Sequence, residues 1–132
     1  MALTGKFELE KSENFDAYLK AVGVNFAKRA IASTMKPTIE ISENNGVYTI
    51  KTFSVLKNTE ITFTPDGSEF EEDTADGRKA KSSVTIEGNK LIHVQKIGDV
   101  TSTTVREFNG DKMTVVLTCQ DVTSTREYKK TA

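Results

Sequence analysis

A chain of 132 residues fits one domain, 1–132, that can bury a core without metal or disulfide staples. Charged residues make up 28% of it, yet the net charge is only −1, which argues against a duplex nucleic-acid partner and its need for a basic excess. One cysteine, Cys119, rules out an intramolecular disulfide, the opening Met1-Ala2-Leu3-Thr4-Gly5-Lys6 lacks a signal-peptide pattern, and no apolar run approaches a spanning helix, so a cytoplasmic chain is expected.

Thr, Val and Ile number 18, 11 and 8, so 37 of 132 residues are β-branched and suit a pleated sheet. The run 6–11 alternates Phe7 and Leu9 with Lys6, Glu8 and Glu10, the period of a half-buried strand. Asn14 is placed to cap a helix from Phe15, in which Phe15, Leu19 and Val22 form one stripe, and Gly23 ends it. Asn25 is placed to cap a second helix carrying Phe26, Ala30 and Ile31, with Lys28 and Arg29 turned outward and Lys36-Pro37 as the stop.

From Thr38 onward turn chemistry recurs at Asn44-Asn45-Gly46, Pro65-Asp66-Gly67, Glu87-Gly88-Asn89, Gly98-Asp99 and Asn109-Gly110-Asp111. The runs between are 39–43, 47–53, 59–64, 69–72, 79–86, 91–97, 101–108, 112–119 and 122–129. With the first strand they make ten, and a meander of that length tends to curl and close. The predicted fold is all-β: a ten-stranded antiparallel up-and-down β-barrel with a helix–turn–helix lid inserted after its first strand.

The run 122–129 carries the chemistry. Thr123, Thr125, Glu127 and Lys129 share a wholly polar face that must be outside, so Val122, Ser124, Arg126 and Tyr128 face inward. On 101–108, Arg106 shares a face with Thr104 and Phe108. Two inward guanidinium groups are costly without acceptors, and these two strands offer no inward carboxylate, although one elsewhere could serve. A ligand carboxylate would suit the planar fork of arginine, with a Tyr hydroxyl as a third donor. The competing reading puts both arginines at the barrel ends, reaching water or pairing locally.

Gly5-Lys6-Phe7-Glu8-Leu9 followed by Asn14-Phe15-Asp16-Ala17-Tyr18 resembles the signature of the intracellular fatty-acid-binding proteins. Lys36-Pro37, Lys57-Asn58-Thr59-Glu60, Thr74-Ala75-Asp76-Gly77-Arg78-Lys79 and Arg126-x-Tyr128 continue the likeness over essentially the whole chain, nearest to the heart, adipocyte and myelin branch. The resemblance implies a β-clam without cofactor, metal or enzymatic activity. It would be a monomer carrying a long-chain fatty acid of about sixteen to eighteen carbons, with Arg106, Arg126 and Tyr128 on the carboxylate. It also implies a tail site and portal formed by Phe15, Tyr18, Val24, Ala32, Ser54, Leu56, Ala75, Asp76, Arg78 and Leu117. Leu56, where relatives often place phenylalanine, and Phe7, where tryptophan is commoner, depart from the pattern. The helical interval 14–37 carries a net +3, so Lys28 and Arg29 are candidates for steering the lid to anionic membranes, against the plainer reading of solvated lysines.

Three rival classes fit less well. A Cys119–His93 thiol couple is disfavoured because Cys119 continues the apolar alternation of Met113, Val115 and Leu117, and His93 reads as a satisfied mid-strand imidazole. A DNA-binding helix–turn–helix sits badly with ten following strands. A membrane-stacking protein would need a basic surface. Within the carrier reading, retinoic acid competes with fatty acid, since both are carboxylates.

Overall fold

The computed structural model describes residues 3–55 and 57–132. The order of elements is the one the turn spacing predicts. β1 (Gly5–Glu13) leads into α1 (Phe15–Ala21) and α2 (Phe26–Ala32). There follow β2 (Thr38–Asn44), β3 (Val47–Phe53), β4 (Thr59–Phe63), β5 (Phe70–Asp73), β6 (Lys79–Glu87), β7 (Lys90–Ile97), β8 (Val100–Asn109), β9 (Lys112–Cys119) and β10 (Val122–Lys130).

Neighbouring strands are antiparallel, and β10 returns to pair with β1, giving the sheet order β4-β3-β2-β1-β10-β9-β8-β7-β6-β5. The ladder therefore closes everywhere except between β4 and β5, its two ends. Across that seam the bridging groups are aromatic. Tyr48 stacks on Phe63 at 6.0 Å, Phe63 on Phe70 at 5.8 Å, and Phe70 on His93 at 6.3 Å between ring centroids. β1 runs two residues past the predicted 6–11 because the register shifts between Leu9 and Lys11, which ends the alternation on which that boundary rests.

Two apolar clusters form. The larger fills the barrel with Phe7, Ile41, Leu91, Phe108 and Met113, and Phe7 meets Phe108 edge to face at 5.8 Å. Burying a ring such as Phe7 contributes about 1.5–3 kcal/mol. The smaller lies beneath α1 and joins Tyr18, Val22, Val24 and Cys119.

The lid differs from expectation at two points. Asn14 sits at the N-cap of α1 and its carbonyl accepts from the Tyr18 N–H at 3.2 Å, but its side chain does not cap the helix: the backbone is left-handed (φ 61°), and the amide donates instead to the Thr123 carbonyl at 2.9 Å, tying the lid to β10. Asn25 does cap α2, accepting from the Lys28 N–H at 3.0 Å. Gly23, at φ 93°, closes α1 with the Gly23 N–H on the Lys20 carbonyl and the Val24 N–H on that of Leu19.

The second correction concerns the faces of α2. Phe26, Ala30 and Ile31 face out, while Lys28 and Arg29 are half-buried rather than turned outward. The cause is bonding at short range. Arg29 donates to the Val24 carbonyl at 2.9 Å and to Asp16 at 3.2 Å, and Lys28 donates to the Asp76 carbonyl at 2.6 Å. These contacts dock α2 on α1 and on the β5–β6 turn by its cations, and a seven-residue helix cannot bury its opposite face as well.

Candidate functional site

Val115 of β9 pairs with Arg106 of β8 on one side and with Arg126 of β10 on the other. Directly paired residues share a face, so the inner wall carries cation, valine, cation in one row. Two strand spacings separate the arginine backbones by about 10 Å, which two long side chains can bridge onto one small anion. The next row along is Phe108, Met113 and Tyr128.

Arg106 is the anomaly of this row. Its Nε and Nη1 are buried and have no hydrogen-bond partner among the described residues. Burial lowers the guanidinium's pKa, with Tyr128, Glu72 and Tyr18 acting in the opposite direction. Guanidinium nevertheless keeps its charge in proteins. Arg126 is 4% exposed and lies under the lid, its guanidinium carbon 3.6 Å from the centroid of the Phe15 ring. Tyr128 is buried as well. Both arginines therefore point into the interior, Arg126 buried and Arg106 half-buried, rather than lying at the barrel ends.

All three residues line a cavity of about 260 Å³. Phe15 and Tyr18 of α1, Val24 after it and Ala32 of α2 form its lid side. Leu117 of β9, Ser54 after β3, and Ala75, Asp76 and Arg78 of the β5–β6 turn complete the wall. Leu56 lies outside the described residues. Tyr18 reaches in beside Ser102 and Thr104; burial raises its hydroxyl pKa and those two neighbours oppose the rise.

The β5–β6 turn is bonded to the lid. Arg78 Nη1 donates to the Val22 carbonyl at 2.9 Å, near the C-terminal end of α1, while its Nε pairs with Asp76 at 2.7 Å. Thr74 Oγ1 donates to the same Asp76 carboxylate at 2.5 Å, and Lys28 holds the Asp76 carbonyl. A single turn thus grips both helices.

Several groups on the wall were not anticipated from the sequence, among them Gln95, Thr104 and, carrying a charge, Glu72. Glu72 faces inward and accepts from Ser82 Oγ at 2.8 Å and from His93 Nε2 at 3.1 Å. Burial pushes its carboxyl up, but bonds from His93, Ser82 and Gln95 outweigh that and hold it below its ordinary range. The one sequence signal, Phe70 on the same face of β5, was too little by itself to set that face. Glu72 is the inward carboxylate that the arginines' own strands lack, yet its hydrogen bonds go to His93 and Ser82. His93, which the sequence left as either an interior or a surface imidazole, is interior and bonded, and Cys119 is packed beneath α1, where burial raises its thiol pKa. Among the described residues no cluster of His, Cys, Asp or Glu could hold a metal ion, and no helix is long and apolar enough to cross a membrane.

A family model described as the lipocalin / cytosolic fatty-acid binding protein family matches residues 4–131. A fatty acid-binding protein of Tyrophagus putrescentiae is 54% identical over 129 residues, with 97% of each chain covered. The structure of the Schistosoma mansoni fatty acid binding protein in complex with arachidonic acid superposes with a TM-score of 0.94 at 38% identity, covering 98% of this chain and 96% of that one. The REP1-NXSQ fatty acid transporter gives a TM-score of 0.92 at 45% identity, with 98% and 96% covered.

Proposed function

The chain belongs to the lipocalin / cytosolic fatty-acid binding protein family, and on that premise we propose that it is a monomeric cytoplasmic carrier of a long-chain fatty acid. The observation that carries this reading is the pair of orphaned donors on Arg106, in one row with Arg126 and beside Tyr128. A carboxylate between the two cations satisfies those donors, offsets the repulsion of like charges, and accepts a further bond from the Tyr128 hydroxyl. An alcohol supplies one oxygen and no charge, so the site discriminates by head group.

The tail supplies most of the affinity. Each buried methylene is worth about 0.8 kcal/mol, so sixteen give about 13 kcal/mol before ordering costs, consistent with nanomolar to micromolar binding. Entry requires the lid to part from the β5–β6 turn, a gating step. Brief contact with anionic membranes fits the net +3 of the helical interval. Lys28 and Arg29 are engaged in the lid, so the surface offered to lipid is the exposed Phe26 (76%) and Val55 (87%) with the exposed Lys20 and Lys36.

Native mass spectrometry of protein purified without delipidation tests the reading. Copurified acids of about sixteen to eighteen carbons are expected. A retinoid as the copurified ligand, or a chain that takes up no fatty acid on titration, would overturn it.

A further inference from the structure

We propose that Glu72, with Ser82 and His93, forms a second polar subsite that selects fatty acids bearing a hydroxyl on the chain. The proposal rests on the carrier reading above and extends it to the ligand's substituents.

The wall of a cavity for a plain hydrocarbon tail has no use for a carboxylate, because a methylene gives it no hydrogen bond. Glu72 nevertheless lines the same cavity as the arginines. Two bonds converge on its Oε1, from Ser82 at 2.8 Å and His93 at 3.1 Å. An ionised carboxylate only accepts, so the His93 Nε2 carries the hydrogen, and of about four lone-pair sites at least one stays unused even with the Gln95 amide as a further donor. Glu72 therefore calls for a donor. A hydroxyl supplies one; a keto group does not, and a second carboxylate is repelled.

The register sets where along the ligand that donor falls. His93 pairs with Thr104, two residues from Arg106, whose own partner on β7 is Leu91. Diagonal same-face neighbours of this kind are about 7–8 Å apart, so the subsite starts a short way beyond the head group. Thr104 and Gln95 also line the cavity there and add hydroxyl and amide groups to the wall. A chain held by its carboxylate at Arg106 and Arg126 would pass Glu72 within its nearer half. There a hydroxyl meets an acceptor already fixed by two protein donors, so little ordering is needed to use it.

Calorimetric titration of the delipidated full chain with stearic acid and a set of hydroxystearic acids differing in hydroxyl position tests this. In the wild type, at least one near-half isomer is expected to match or exceed stearic acid. Without a partner, burying the hydroxyl would weaken binding by about tenfold. In Glu72→Leu, and to a lesser degree in the shape-conserving Glu72→Gln, the hydroxystearate-to-stearate affinity ratio for that isomer should fall by about tenfold. A wild type in which every isomer binds at least tenfold more weakly than stearic acid overturns the proposal without recourse to the variants. A ratio unchanged by both substitutions overturns it equally. In either case intact stearic-acid binding leaves the carrier reading standing, whereas a wild type that binds none of the acids removes both.

Discussion

The guanidinium carbon of Arg126 sits 3.6 Å from the centroid of the Phe15 ring, which joins the first residue of α1 directly to one of the two interior cations. Phe15 in turn stacks with Tyr18 at 6.1 Å, so the lid and the proposed head-group site share side chains. A desolvated cation–π contact of this kind is worth about 2 kcal/mol.

Replacing Phe15 by Leu keeps apolar bulk and removes the ring's charge distribution. The affinity for a fatty acid should fall about threefold to tenfold, chiefly through faster dissociation, because the lid loses its hold on Arg126. Stopped-flow displacement of a fluorescent fatty acid measures this; an unchanged dissociation rate would show that the stack is incidental.

Arg106 sets function against stability. An unpartnered buried cation costs the ligand-free fold, so Arg106→Met should stabilise the delipidated protein by about 1–4 kcal/mol in denaturant unfolding. The same substitution, or Arg126→Gln, should weaken carboxylate binding by about tenfold to a hundredfold and binding of the matching alcohol far less. Equal weakening of acid and alcohol would remove the head-group assignment.

The turn that grips both helices should govern speed more than affinity. Arg78→Ala frees the Val22 carbonyl and releases the ion pair with Asp76. Association and dissociation of ligand should then both accelerate severalfold, with the equilibrium constant moving much less. Parallel rate and equilibrium titrations check the split.

Glu72 should make stability depend on pH. Its folded carboxyl titrates below the ordinary value of 4.5, so its contribution is complete above that value and is lost as the pH falls through the folded one. Between about pH 6 and pH 3 the wild type should lose more stability than Glu72→Gln, read as the shift of the urea midpoint at each pH. Parallel losses in the two proteins would place the acid sensitivity elsewhere.

The barrel was legible in the sequence because turn residues and β-branched runs agree with each other over most of the chain. The inward face of β10 was legible for a related reason: its opposite face is wholly polar, which leaves Arg126 and Tyr128 only one side. Glu72 was not, since β5 is four residues long and three of them are acidic, too little pattern to set a face. The orientation of α2 was hidden for another reason. It depends on a bond from Lys28 to Asp76, 48 residues away, and on those of Arg29 to Asp16 and Val24. Contacts between distant segments leave no periodic trace.

The aromatic run Tyr48–Phe63–Phe70–His93 crosses the one interval where the sheet has no ladder. Elsewhere the girth of the barrel is set by directional backbone bonds, which break if strands slide apart. Stacked rings are less directional, because aromatic pairs accept offset and edge-to-face arrangements over a range of centroid separations. The barrel is thus fastened at β4 and β5 by packed rings, with the Asp66–Thr85 bridge at one end, so a change of girth there would break no bond of the strand ladders. On the carrier reading, ligands of different bulk would then be housed at little cost to the remaining strands.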